Sequence, residues 1–192
     1  MGTDAARLAA RRARALAAAG LVALAGCGGG SSGSPVVGPS DPSCPAVVAP
    51  VANEGWIHVA EGSAVAYRAN PPASGPHYPV WARYQEHASA VARPYWVHNL
   101  EHGAIVFLYR PDAPAAVVSA LRAAFQSLPN DPACGHRRAL MTPDPLLPRA
   151  TAVVAADFVV AADCVNAGLV RDFATGRRGR GPEQVCADGT RP

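Results

Sequence analysis

The sequence predicts a single α+β domain with a mixed or antiparallel sheet and two or three helices, carried behind a signal peptide and a flexible tether. Three observations lead there. Short β-type runs and helical-period runs are mixed without a regular strand–helix–strand alternation. The stretch 44–192 has the length of one domain able to bury a real core. Four of the five cysteines fall in that stretch, an even number that suits two disulfides in an exported protein.

Residues 1–26 read as an address. Arg7, Arg11, Arg12 and Arg14 precede an apolar run from Ala15 to Ala25, broken only by Gly20. That is a charged start and an apolar segment too short to span a bilayer. The run ends in Leu24-Ala25-Gly26-Cys27, which resembles the bacterial lipobox, whose cysteine is lipidated and becomes the first mature residue. Arg11-Arg12 hints at twin-arginine export, although Ala13 and Arg14 fit that motif poorly. Residues 27–43 combine the lipidated Cys27 with a Gly/Ser/Pro-rich tether, whose r.m.s. reach is roughly 20–25 Å. The expected location is therefore outside the cytoplasm, anchored to the bacterial cell membrane by lipid on Cys27. An envelope protein of unknown identity is the expected partner.

The formal charge of +3 arises in the address. Removing residues 1–26 leaves 13 Arg against 13 acidic residues, and there is no Lys anywhere. A near-neutral domain lacks the basic footprint that nucleic-acid binding needs.

In the domain, Ala46–Val51 is a short β-like run. Trp56–Val59 and Ala64–Tyr67 read as two strands around a turn at Glu61-Gly62-Ser63. Asn70-Pro71-Pro72-Ala73-Ser74-Gly75-Pro76 excludes regular structure and makes a stiff loop that aims His77 in one direction. Ala104–Tyr109 is a continuous apolar run typical of a central strand. A helix starts near Pro111–Pro114, repeats Val117, Val118, Leu121, Phe125 and Leu128 at helical spacing, and stops at Pro129. Ala139–Thr142 reads as a strand ending at Pro143. Ala152–Val160 fits a strand or a short buried helix, and Val165–Phe173 an amphipathic turn or two. Arg177-Arg178-Gly179-Arg180 reads as a solvated loop.

Cys44, Cys134, Cys164 and Cys186 form no CxxC pair, which argues against a thioredoxin-like motif or a zinc ribbon. Of three possible pairings, Cys134–Cys164 with Cys44–Cys186 is preferred, the second tying the domain ends together.

The densest chemistry lies between Pro71 and Tyr109, which holds four of the six histidines. His98 and His102 flank Glu101 in HNLEHG. On a strand they would lie about 13 Å apart, too far to share one ion. On a helix, residues four apart share a face. A helical turn ended by Gly103 would place both at the mouth of the following strand, where His77 could join them. Three neutral imidazoles suit zinc or copper. Glu101 points away from His102 on a helix and is expected to support a ligand rather than be one. HNLEHG also matches the H-x-x-E-H pattern of some zinc peptidases, but glycine and a strand follow at once where a long helix is needed. His58, His87 and His136 are expected at the surface or in turns, Met141 in the core, and Trp56, Trp81 and Trp96 as core or loop anchors. Ser74 with His77 has neither a G-x-S-x-G elbow nor a separate orienting acid.

Two segments also carry a resemblance. Asn70-Pro71-Pro72-Ala73-Ser74-Gly75-Pro76-His77-Tyr78 and Val97-His98-Asn99-Leu100-Glu101-His102-Gly103-Ala104 resemble the bacterial family called domain of unknown function 3105, with Pro182-Glu183 similar to its end. The resemblance covers most of Trp56 to Cys186. It implies that His77, His98, Glu101 and His102 belong to the family signature, and that the protein is exported or membrane-attached. It implies no activity. Ala155-Ala156-Asp157 departs from an Ala-Trp-Gly in the family's late strand.

The leading expectation is a non-enzymatic envelope protein that binds copper or zinc through His98 and His102, with His77 as third ligand and Glu101 behind them. One alternative is a structural or protein-interaction module whose histidines only hold the loop to the strand. Another is a hydrolase, either metal-assisted or using Ser74.

Overall fold

The computed structural model describes residues 41–192; the expected signal peptide and the expected lipidation site at Cys27 lie outside the described residues. The run after Cys44 forms β1 (Val48–Pro50) at one sheet edge. A long irregular arm leads to α1 (Arg93–Glu101). Then come β2 (Ile105–Tyr109), α2 (Ala115–Gln126), β3 (Ala139–Pro143), β4 (Thr151–Ala155), β5 (Phe158–Ala162) and α3 (Ala167–Arg177). The strand order is β1-β5-β4-β2-β3, with β2 and β3 parallel and the other neighbours antiparallel. The fold is thus a single α+β domain with a mixed five-stranded sheet and three helices. No helix among the described residues is long and apolar enough to cross a membrane.

β2 is apolar throughout because both its faces are covered. Ile105 and Phe107 face one core layer with α2 and α3, through Leu121, Phe125, Val170 and Phe173. Val106 and Leu108 face the other layer with α1, through Trp96, Val97 and Leu100. The crossover through α2 makes β2 and β3 parallel, so one strand–helix–strand unit stands inside an otherwise antiparallel sheet.

Several expectations change. The run 152–160 is neither one strand nor a helix but the β4–β5 hairpin. Its turn at Ala156-Asp157 lacks a glycine signal. Asp157 adopts φ 61°, a region open to Asp, and Asn53 donates to its carboxylate. Trp56–Val59 and Ala64–Tyr67 do not form a strand pair. The 57–59 backbone pairs instead with His77, through His77 N–H to Ile57 O at 2.9 Å and Val59 N–H to His77 O at 2.8 Å. The Tyr67 hydroxyl donates to Pro76 O, clamping the proline loop.

The disulfides are Cys44–Cys164 and Cys134–Cys186, which overturns the preferred pairing. The reason is sheet register. β1 runs antiparallel beside β5, so the chain entering β1 passes the chain leaving β5, where Asp41 N–H bonds Val165 O. The C-terminal segment brings Cys186 to Cys134, in the connection between α2 and β3. The arginine run is not simply solvated either. The Arg178 side chain is 8% exposed and faces Asp131, while Gly179 N–H bonds Gly103 O.

Candidate metal centre

Three pieces of chain meet over the end of α1. Because α1 lies against the sheet and under the arm, Trp96 through Glu101 are all buried. The helix therefore carries His98, Asn99 and Glu101 into the interior. His102 caps it, and Gly103, at φ 76°, turns the chain into β2. The proline loop delivers His77, and the bridge between residues 58 and 77 delivers His58. Asn99 holds the arm in place by accepting from Ala82 N–H at 3.1 Å and donating to Ala82 O at 2.8 Å.

The imidazoles are oriented by their backbone bonds. His77 Nδ1 donates to Gly75 O at 2.9 Å, and His98 Nδ1 donates to Tyr78 O at 2.6 Å. With Nδ1 committed to a carbonyl, Nε2 is the nitrogen each ring turns to the site and the one that would bind a metal. Those nitrogens converge on one carboxylate. Glu101 Oε2 lies 3.0 Å from His77 Nε2, 3.5 Å from His58 Nε2 and 3.8 Å from His98 Nε2. One donor atom from each of His58, His77, His98 and Glu101 falls within a mutual 4.8 Å.

His102 takes a different position. Its Nε2–H donates to His98 Nε2 at 3.1 Å and lies 3.4 Å from Glu183 Oε2, and its buried Nδ1 has no hydrogen-bond partner among the described residues. It falls in a second group with Glu101 and Glu183. Burial, reinforced by the surrounding imidazoles, lowers His98 to about 4. Burial, with His77, Arg138 and His58 adding repulsion, lowers His102 to about 4 as well. Both rings are therefore neutral at physiological pH, as metal ligation requires. Trp81 closes one side, its ring centroid 4.9 Å from that of His98 and 4.5 Å from that of His102.

The structure thus brings together His77, His98, Glu101 and His102, and adds two residues that sequence reasoning passed over. His58 was expected at the surface; its side chain is half exposed, yet its ring stacks 4.9 Å from that of His98. Only its place opposite His77 in an irregular bridge reveals it. Glu183 arrives from the C-terminal segment, where Glu183 N–H bonds Glu101 O at 2.9 Å. Its resemblance to the family's end was the available signal. His87 is buried but bonds Arg83 O, and His136 bonds Cys134 O; neither joins the cluster. Ser74 Oγ accepts from Glu54 N–H, and no imidazole hydrogen-bonds it among the described residues.

A family model, described as "Protein of unknown function (DUF3105)", matches residues 58–189. The chain belongs to this family. The matched span of this DUF3105 protein begins at His58 and contains every residue of both groups, Glu183 included. No curated protein and no solved structure matches the chain.

Proposed function

We propose that this protein is a lipid-anchored, extracytoplasmic metal-binding protein, and that His58, His77, His98 and Glu101 hold a divalent cation of the zinc class. The reading rests on one contact. His77 commits its Nδ1–H to Gly75 O, so its Nε2 and the Glu101 carboxylate are two acceptors facing each other at 3.0 Å in the interior. Two buried acceptors repel unless a positive species lies between them. A proton can fill that role for one pair, but a metal cation satisfies His58 and His98 at the same time.

The donor set of three imidazole nitrogens and one carboxylate oxygen is that of borderline divalent metals. Copper(I), which prefers soft sulfur, is poorly served: Cys44, Cys134, Cys164 and Cys186 are oxidised, and Met141 is in the core layer beneath α2. The ligand set thereby shifts from His77, His98 and His102 to one in which Glu101 binds directly and His58 replaces His102. The lipid anchor on Cys27 remains the reading of the Leu24–Cys27 motif.

A structural reading is favoured by the same two backbone bonds, since His77 and His98 stitch the arm to α1 with or without a metal. His58 separates the two. Its side chain is 50% exposed, so removing it costs little packing. The full chain, purified tagless in detergent, is expected to retain zinc by elemental analysis. His58→Ala should lower zinc affinity while leaving the melting temperature of the metal-free chain, measured in chelator, unchanged, and Glu101→Gln should abolish retention. A wild-type chain that neither carries zinc nor takes it up on titration would overturn the metal reading in favour of the structural one.

A further inference from the structure

We infer that the centre has room for a second cation, held by His102 and Glu183 and sharing Glu101 with the first. The inference rests on the metal reading above and goes beyond it in number and in ligands. His102, Glu183 and Glu101 each offer a donor atom, all within 4.8 Å of one another. Glu101 is common to both groups. The oxygen it turns toward His58, His77 and His98 is Oε2. A carboxylate has two oxygens, and bridging two cations about 3.5–4 Å apart is a familiar use of it.

The placement of Glu183 is built into the chain. The C-terminal segment passes the end of α1 with Gly179 N–H on Gly103 O at 2.8 Å and Glu183 N–H on Glu101 O at 2.9 Å. Only glycine fits at 181, because a Cβ there would lie 2.2 Å from Glu101 O and 2.3 Å from Gly103 N. Cys134–Cys186 and the Trp81 indole, which donates to Ala187 O, fix the segment beyond it. The result is a glutamate whose backbone is bonded to the backbone of the bridging glutamate. His102, 2% exposed, holds its Nε2 between His98 Nε2 and Glu183 Oε2, and a cation there would take the place of the proton that His102 Nε2 shares with His98.

The donor count is consistent. The first cation takes His58, His77 and His98; the second takes His102 and Glu183; Glu101 spans them. Two divalent cations against two carboxylates leave a net positive centre. Glu183 is 52% exposed, so the second cation faces solvent and has open positions for water or a small oxyanion.

The test is a count. The full chain is stripped with chelator, titrated with Zn²⁺ and assayed for bound zinc per chain after desalting. Two equivalents are expected in the wild type and one in Glu183→Gln, a surface substitution that leaves the fold intact. His102→Gln should also give one. Loading with Mn²⁺ gives an independent readout: an exchange-coupled paramagnetic resonance signal in the wild type and only an uncoupled one in Glu183→Gln. One equivalent in both proteins would overturn the second site and leave the first standing. Zero equivalents in the wild type would overturn both.

Discussion

The two faces of the sheet are built on opposite principles. The face under α2 and α3 is regular structure over an apolar layer of Phe107, Leu121, Phe125, Met141, Val153 and Phe173. The face under α1 is covered largely by irregular chain, namely the arm before α1, with Leu147 from the β3–β4 connection beside it. Irregular backbone inside a protein must find partners for its N–H and C=O groups. Here side chains supply them: Asn99 for Ala82, His77 for Gly75, His98 for Tyr78, Ser74 for Glu54 and Tyr67 for Pro76. The polar groups that anchor the irregular face are thus the same groups, or neighbours of the groups, that converge at the candidate centre. Its chemistry is a by-product of how that face is held.

If the faces are independent in this sense, the largest effect should come from the apolar one without touching the site. Phe107→Ala is expected to cost about 3–5 kcal/mol, measured by urea unfolding, while zinc per chain stays as in the wild type. A loss of zinc in a still-folded Phe107→Ala chain would break the separation. Replacing Cys134 and Cys186 together by Ser should cost about 2–4 kcal/mol. Unlike the core variant, it should raise hydrogen exchange at Glu183 and Gly179, whose N–H groups bond Glu101 O and Gly103 O across the clamp. Asn99→Ala should cost about 1–3 kcal/mol, because both polar groups of buried Ala82 lose their partner. It should also weaken zinc binding by loosening Trp81 beside His98. A wild-type zinc affinity in Asn99→Ala would show that the arm does not position the centre.

The smallest effect is a pH dependence confined to the polar face. His98 and His102 are held near 4 in the folded chain against 6.5 when unfolded, so in chelator the unfolded chain binds protons that the folded one refuses. Stability is then complete above pH 6.5 and falls as the pH is lowered from 6.5 toward 4. The ion-paired Glu61, lowered from 4.5 to about 2, adds its own loss only at the acid end, below about pH 4.5. His98→Phe should flatten part of the slope, and an unchanged slope would assign it to other groups.

The apolar face was legible because its signals are local. The unbroken run Ala104–Tyr109 announces a strand covered on both sides, and Val117–Leu128 announces a helix at 3.6 residues per turn. The β4–β5 hairpin escaped because Ala156-Asp157 is a weak turn signal and Ala-rich runs suit strand or helix equally. On the polar face, the proline loop and HNLEHG stood out by composition, and the need for a helical turn at His98–His102 followed from spacing alone. His58 did not stand out, since a lone histidine in Ile57-His58-Val59 is ordinary until the backbone is seen beside His77.

The sequence by itself determined β2, α2 and β3 and the segment where the histidines gather, because each depends on residues a few positions apart, and it showed through their even number that four cysteines pair. Which cysteine meets which, that Glu101 faces three imidazoles, and that Glu183 returns to the end of α1 were decided only in three dimensions. Those contacts join residues tens of positions apart through chain that has no repeating geometry. Their distances are set by sheet register, by the close approach at Gly181 and by the bonds that hold the arm, none of which is written in any local pattern.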